Sequence, residues 1–382
     1  MIDIKKCYGC GACSIICPCD AICMKINEDG FYRPFIDKAK CINCGKCDKV
    51  CPRYSKNKQN IIGKYGLFAA HSKNRAVLKS SSSGGVCYEI AFNALAQNMY
   101  VIGTKYNYEK DIAESIVCDK VETLLLCSGT KYIQSNISNA VKNIIKIKKK
   151  AVIIGLPCQI SGINEILVTL HIRDNFLLID LVCKSIPSYH LWWKFLEPYK
   201  KQNEINCVDF RDKNYGWKSG NVSINGVCCG NDYKNVFTSN IACQKECSEC
   251  RFCIHSDADI RTGDFWGRRF LHKNTLGESM VICNTKKGLD YFSSIRNLSI
   301  KKAKICEYLS QKVTNFPVNS NYEVIMKLLK NPNSTFYELK SFIPKYKITV
   351  KHVLSSYLPL FITLLLKKNE WNRVIKDDEK RF

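Results

Sequence analysis

Eight cysteines near the N-terminus constrain this chain more than any other feature. Cys7-x2-Cys10-x2-Cys13-x3-Cys17-Pro18 is followed by Cys41-x2-Cys44-x2-Cys47-x3-Cys51-Pro52, the same spacing written twice. Three thiolates in a tight loop, with Gly9 and Gly11 in the first copy and Gly45 in the second, grip three corners of a 4Fe–4S cube. The fourth ligand must come from elsewhere in space, and the cysteine before proline supplies it by crossing between copies. One cluster then uses Cys7, Cys10, Cys13 and Cys51, and the other Cys41, Cys44, Cys47 and Cys17. Pro18 and Pro52 close each turn by removing a backbone donor. Paired zinc knuckles also use CxxC pairs, but they do not explain two identical runs that each end in Cys-Pro. Cys19 and Cys23 fall outside the pattern and read as packing thiols.

This is the spacing of bacterial dicluster ferredoxins, and it defines a ferredoxin-like 2×(4Fe–4S) domain over residues 1–58, closed by the polar linker Ser55-Lys56-Asn57-Lys58-Gln59-Asn60. From residue 61 the texture changes to alternating helix and strand. Val86 to Gln97, Ser138 to Ile147 and Gln159 to Leu170 read as helices. Tyr100 to Gly103, Ala151 to Gly155 and Phe176 to Cys183 read as buried strands, so 61–200 is expected to be an α/β core. After residue 200 come shorter strands, at Val208–Arg211, Asn221–Ile224, Val236–Ser239 and Met280–Asn284. They indicate a smaller α+β lobe over 201–300 that carries Cys247-x2-Cys250. Residues 301–382 form a basic helical tail with 16 basic and 7 acidic side chains.

Lys and Arg number 58 against 34 Asp and Glu, a formal charge of +24. Two oxidised clusters of about −2 each leave a balance of roughly +20. Such a chain suits an acidic electron donor such as a ferredoxin, an anionic membrane or a phosphorylated substrate. No nucleic-acid-binding module is present, so nucleic acid is not expected as a partner. Met1-Ile2-Asp3-Ile4-Lys5-Lys6 lacks the apolar core of a signal peptide. With 24 Cys read as ligands or buried thiols, the expected compartment is a reducing cytoplasm, in a cell sheltered from oxygen. Val353 to Leu366 is apolar, but its 14 residues include Pro359, and about 20 are needed to span a bilayer. With Lys345, Lys347, Lys351, Lys367 and Lys368 around it, the segment is either a packed helix or a peripheral membrane contact.

Ser80-Ser81-Ser82-Ser83-Gly84-Gly85 stands directly before a helix, a place where bare amides, hydroxyls and glycines can cradle phosphate. It is followed in order by Gly129-Thr130-Lys131-Tyr132-Ile133-Gln134-Ser135, Gly155-Leu156-Pro157-Cys158-Gln159 and Asp180-Leu181-Val182-Cys183-Lys184-Ser185-Ile186-Pro187-Ser188. Phe210-Arg211-Asp212-Lys213, Cys247-x2-Cys250 and Thr262-Gly263-Asp264-Phe265-Trp266-Gly267 complete the series. From residue 1 to about 300 the chain resembles the coenzyme F-420 hydrogenase/dehydrogenase beta-subunit family, in its bacterial form with an N-terminal dicluster ferredoxin domain.

The resemblance implies FAD in the α/β core, with Ser82, Ser83, Gly84, Gly85, Lys131, Tyr132 and Gln134 on the flavin side. It also implies a third 4Fe–4S cluster, for which Cys158, Cys183, Cys247 and Cys250 are the candidates, with Cys243 and Cys253 as alternative ligands. It extends to plant hydroxymethyl-chlorophyll reductases and to members in bacterial surface-polysaccharide gene clusters. Where relatives carry His-Gly after the second of these cysteines, this chain has Lys184-Ser185, which puts a substrate role for that turn in doubt. Nothing marks a deazaflavin site, and no catalytic residue is assigned. Asp264 reads as a turn cap and Trp192 and Trp193 as core residues. Together these features indicate an iron–sulfur flavoprotein oxidoreductase passing electrons from a ferredoxin-type donor through its clusters to FAD and a substrate. The rival readings are a non-catalytic subunit wiring a partner redox enzyme and an iron–sulfur scaffold at a glycan-assembly membrane.

Overall fold

The computed structural model describes residues 6–54, 61–267, 269–270, 275–310, 316–344 and 358–379. The expected linker at 55–60 lies outside the described residues, as do Lys345, Lys347, Lys351 and the start of the apolar C-terminal run. Each N-terminal cysteine loop winds into a single helical turn, α1 (Ala12–Ile16) and α2 (Lys46–Lys49), on either side of the antiparallel hairpin β1 (Ile22–Ile26) and β2 (Tyr32–Ile36). The two loops repeat each other in backbone as well as in sequence. Gly9 and Asn43 have φ of 70° and 53°, and Gly11 and Gly45 have 84° and 67°. Two left-handed residues interleaved with three cysteines curl the chain about a common centre, a shape that glycine and asparagine tolerate best.

The body opens with β3 (Leu67–Ser72), α3 (Arg75–Ser80), α4 (Val86–Ala96), β4 (Tyr100–Asn107), β5 (Ile112–Cys118) and α5 (Val121–Leu125). It continues with β6 (Ser135–Asn136), α6 (Ser138–Ile147), β7 (Ala151–Gly155), α7 (Pro157–Thr169), β8 (Phe176–Leu181) and α8 (Tyr189–Lys200). Next come a small antiparallel sheet of β9 (Val208–Asp209), β10 (Ser223–Ile224) and β11 (Val227–Cys228), then α9 (Asp232–Thr238). After β12 (Ile260–Asp264), β13 (Ser279–Cys283), α10 (Lys286–Ser293) and β14 (Leu298–Ala303), the described chain ends with α11 (Tyr322–Lys330) and α12 (Leu360–Glu379).

Nine strands form one mixed sheet in the order β14-β3-β13-β12-β8-β7-β4-β5-β6. Its centre, β12-β8-β7-β4, is parallel. There the apolar runs Ala-Val-Ile-Ile and Phe-Leu-Leu-Ile are sealed on both faces, as parallel strands under helices must be. Strands β12, β13 and β14 come from beyond residue 200, so the sheet runs across the boundary expected there. The strand expected at Val236–Ser239 is instead the end of helix α9. Tyr233 and Val236, three residues apart, are both fully buried on one helical face, and that packing outweighs the β-branched and aromatic character of a four-residue run.

The ferredoxin domain is seated on α7. A Cβ placed at Gly162 would lie 2.6 Å from the Ala12 side chain and 3.5 Å from Cys10 Sγ, so only glycine lets α1 come this close. Tyr8, Ala12 and Ile15 share one apolar cluster with Cys158, Ile160, Ile163 and Phe252. At the other end, Trp371 of α12 is buried edge-on to Tyr308, with ring centroids 6.2 Å apart. Leu360, Phe361, Leu365 and Leu366 of the same helix are exposed. Among the described residues no helix is long and apolar enough to cross a membrane.

Candidate functional site

The carboxyl ends of β7, β8 and β12 open onto a cavity of about 700 Å³, the edge at which open α/β sheets bind ligands. Its walls include Ser82, Ser83 and Gly85 from the loop before α4, and Lys131, Tyr132 and Gln134 from the segment before β6. Cys183 and Lys184 after β8, Arg211, and Asp264 with Trp266 after β12 also face it. Gly85, with φ of 78°, stands at the N-cap of helix α4, and no side chain caps its first turn. The preceding loop is fastened on three sides. Thr130 N donates to Ser82 Oγ at 2.6 Å and Ser83 Oγ donates to the Glu278 carbonyl at 2.8 Å. The Lys213 ammonium donates to the carbonyls of Leu78, Ser83 and Leu276. Burial pulls the Lys213 pKa down to about 7.

Lys131 donates to the carbonyls of Ser128 and Gly129, and burial lowers its pKa to about 8. On the opposite chain segment, Arg211 Nη1 meets both oxygens of Asp264 at 2.7 Å. The stacked pair Trp217–Trp266, 4.6 Å apart and 7° from parallel, lies against its guanidinium. Asp264 therefore forms an ion pair on the cavity wall, where the sequence indicated a turn cap.

Two of the seven flavin-side positions sit differently from expectation. Gly84 does not face the cavity. A Cβ there would lie 2.5 Å from the Ala70 carbonyl and 2.7 Å from Ser279 N, so it is glycine to let the loop lie against β3 and β13. Gln134 borders the cavity, but its amide is spent on the ferredoxin domain. Tyr32 N donates to Oε1 at 3.0 Å, and Nε2 donates to the Gly9 carbonyl at 3.3 Å and the Tyr8 carbonyl at 3.5 Å. Gln244 does the same from the other side, Nε2 donating to the Tyr8 carbonyl at 3.2 Å while Oε1 accepts from Arg33 Nη1 at 3.0 Å. Arg33 also pairs with Glu246 at 3.1 Å. None of Gln244, Arg33 and Glu246 carries a motif signal. Their role arises from contacts between segments more than 200 residues apart.

The twelve cysteines fall into groups in space. Cys10 is deeply buried, and burial followed by the charges of Cys7, Cys13 and Cys51 pushes its thiol up. The last cysteine of the second copy thus stands with the first three of the first. Cys17 and Cys47 pack with Cys13 about Ile22. Cys44 is exposed while Cys10 and Cys13 are buried, so the first loop is the inner one and the second the outer. In the body, Cys158 at the start of α7 is pushed up by burial and then by Cys10, Cys183, Cys250 and Cys247. Cys183 is pushed up to about 12, by burial and then by Cys250. Cys243 bears on Cys183 and Cys247, and Cys253, which packs beside Ile254 and Phe265, is hydrogen-bonded through its side chain to Cys250, so both alternative ligands stand with the group. Among the described residues, no three His, Cys, Asp or Glu side chains converge tightly enough to hold a single metal ion. A cubane holds its four thiolates further apart than one ion does.

The loop bearing Cys247 and Cys250 is held from β12. Arg261 donates from Nη1 to the Phe252 carbonyl and from Nη2 to the His255 carbonyl, both at 2.9 Å. Tyr8 stands between the inner N-terminal loop and this one, edge-on to Phe252 at 5.8 Å.

Residues 6–54 match the family model of the 4Fe–4S dicluster domain. Residues 148–306 match that of the C terminus of the coenzyme F420 hydrogenase/dehydrogenase beta subunit. Over these residues the body of the chain is similar to that family. The uncharacterized protein MJ1349 of Methanocaldococcus jannaschii is 26% identical over 335 aligned residues, covering 76% of this chain and 86% of that protein. A chain from the F420-reducing [NiFe] hydrogenase complex of Methanosarcina barkeri overlays with a TM-score of 0.48 and 18% identity, over 71% of this chain and 89% of its own. The N-terminal domain is an iron–sulfur electron-transfer module fused to a body related to the beta subunit of these redox enzymes.

Proposed function

We propose that the protein is an iron–sulfur flavoprotein oxidoreductase that takes single electrons at its ferredoxin domain and delivers them in pairs to a substrate in the cavity. The observation that carries this reading is a continuous succession of sites. Exposed Cys44 marks the outer loop, and buried Cys10 of the inner loop lies against α7 and bears on Cys158. Cys158 groups with Cys183, Cys247 and Cys250, and Cys183 lines the cavity. In this reading Cys41, Cys44, Cys47 and Cys17 hold the cluster that electrons reach first. Cys7, Cys10, Cys13 and Cys51 hold the second, and the four body cysteines the third.

The cavity supports FAD as its occupant. Its volume of about 700 Å³ falls within the usual 300–1,000 Å³ of cofactor pockets. The uncapped first turn of α4 leaves amides for a pyrophosphate, and the Lys131 ammonium, bonded to two carbonyls, supplies charge for it. Bound FAD supplies the conversion between one-electron and two-electron chemistry. Ser82, Ser83 and Gly85 shape the phosphate end of the site, and Tyr132 and the Arg211–Asp264 pair shape the remaining wall. The substrate enters from the open side. The resemblance to members in surface-polysaccharide gene clusters makes a precursor of such a polymer one class to try.

The family is named for beta subunits, so a partner redox enzyme is the alternative destination for the electrons. Anaerobic purification separates the readings. A flavoprotein of this design holds about 12 iron atoms and one FAD, since three cubanes carry four each, and the flavin bleaches when reduced ferredoxin is added. A fully iron-loaded protein that neither retains nor takes up FAD would leave only the wiring role.

A further inference from the structure

Two cysteines outside the three proposed ligand sets stand together at the cavity. Cys127, just past α5, lines it, and Cys118, the last residue of β5, is fully buried behind. Their sulfurs are 3.8 Å apart. The neighbouring strand is built around the outer sulfur. A side chain at Gly103 of β4 would place its Cβ 2.8 Å from Cys127 Sγ and 2.9 Å from Cys127 Cβ, so glycine stands where the thiol needs the room. The contact between the two sulfurs, and then burial, push the Cys127 thiol up, with the charge of Lys131 on the same wall acting against them, while that same contact holds the Cys118 thiol below its ordinary value. Packing thiols need neither access nor a neighbouring cation, and this pair has both.

We propose that Cys118 and Cys127 are a redox-active dithiol that exchanges with a small disulfide entering the cavity. The Cys127 thiolate attacks one sulfur of the compound, its S–S bond breaks, and the first thiolate leaves. The Cys118 thiolate then attacks the Cys127 sulfur and expels the second. A Cys118–Cys127 disulfide has formed, and the two protons given up by the pair end on the two departing thiols. The pair is oxidised by two electrons and the compound is reduced by two. A disulfide bond is about 2.05 Å long, so sulfurs 3.8 Å apart have a short approach left to make. Return to the dithiol takes two electrons and two protons, and that half alone rests on the flavin reading. Formation of the bridge does not.

The test uses the full-length, anaerobically purified, cluster-loaded protein in buffers of reduced and oxidised dithiothreitol, the latter serving as the small disulfide. Samples are quenched in acid, alkylated and digested with trypsin. Cleavage after Lys110, Lys120 and Lys131 puts the two cysteines on separate peptides, 111–120 and 121–131. The expected result is a linked species of these two peptides. Its ratio to the free forms should change tenfold for each tenfold change in the buffer ratio, as two-electron exchange requires. Flavin-stripped protein should give the same titration, and Cys118→Ser and Cys127→Ser should each abolish the linked species with iron content unchanged. Full alkylation of both cysteines across every buffer, or linkage only in denatured protein, overturns the proposal.

Discussion

Arg261 and Asp180 meet as a two-pronged ion pair, Nε to Oδ1 at 2.8 Å and Nη2 to Oδ2 at 2.6 Å, with both side chains about 1% exposed. Asp180 lies three residues before Cys183, and Arg261 holds the carbonyls of the loop that carries Cys247 and Cys250. One buried pair thus fastens both sides of the body's cysteine group. Ser256 Oγ donates to Asp180 Oδ2 at 2.7 Å and completes the arrangement.

Removing one partner leaves an uncompensated buried charge, at a cost of about 3–5 kcal/mol. Arg261→Met should therefore lower the unfolding midpoint sharply. In the folded fraction iron should drop from about 12 to about 8 per chain, because the third cluster needs four thiolates at fixed separation. Iron analysis and chemical denaturation read the two effects separately. Unchanged iron would detach the pair from the cluster.

The double variant Cys13→Ala/Cys47→Ala takes one ligand from each N-terminal cluster. It should retain about 4 iron atoms, those of the body, and lack the two interacting low-potential signals expected of the intact protein on reduction. The nine-stranded sheet should still melt cooperatively. Full low-potential signals in this variant would refute the N-terminal ligand sets.

Lys131 has its pKa lowered to about 8 by burial. It is cationic below that pH and neutral above it. An anionic cofactor held by it should bind more tightly below pH 8 and more weakly as pH rises through 8. Lys131→Met should weaken FAD binding about tenfold at pH 7 and flatten this dependence. A wild-type affinity that is flat from pH 7 to 9 would remove Lys131 from the flavin site.

Gln134→Leu leaves the Tyr32 amide and the Gly9 carbonyl without their partner, at a cost of about 1–3 kcal/mol. The variant should keep its iron. Electron transfer from the ferredoxin domain into the body, followed by rapid mixing, should be slowed. A rate equal to wild type would make the Gln134 clamp structural only.

The chain's charge of +24 should make reduction by an acidic ferredoxin fall steeply with salt, since opposite charge steers the encounter. Stopped-flow rates between low and physiological salt measure the slope. A flat profile would point to a different donor.

The parts of this molecule that are legible in its sequence are those whose chemistry is local. Eight thiolates at fixed spacing signal a cluster domain because each loop must close on its own cube. The strands β7 and β8 are continuous apolar runs that only a buried parallel sheet uses. Helix α9 is hidden because four residues, Val236 to Ser239, cannot distinguish a period of two from one of 3.6. Gln134 sits in a motif assigned to the flavin, yet its amide serves a contact with Tyr32, 102 positions away. Arg33, Gln244 and Arg261 are ordinary polar residues in sequence, and only the fold shows what they hold. Lys213 is legible as part of a motif, but not as the residue that ties three carbonyls around the Ser83 loop together.

The contrast between buried Cys10 and exposed Cys44 also bears on upkeep. A cubane on the outer loop meets oxygen first, and it can be stripped and refilled while the rest of the chain stays folded. One on the inner loop is more sheltered, because Cys10 and Cys13 are buried where α1 lies against Gly162, and it is reached only past the partly exposed Cys7 and Cys51. Exposure to air should therefore damage the protein in two stages. The first is a loss that maturation machinery can repair in place, and the second, once the inner cubane has gone, ends the life of the molecule.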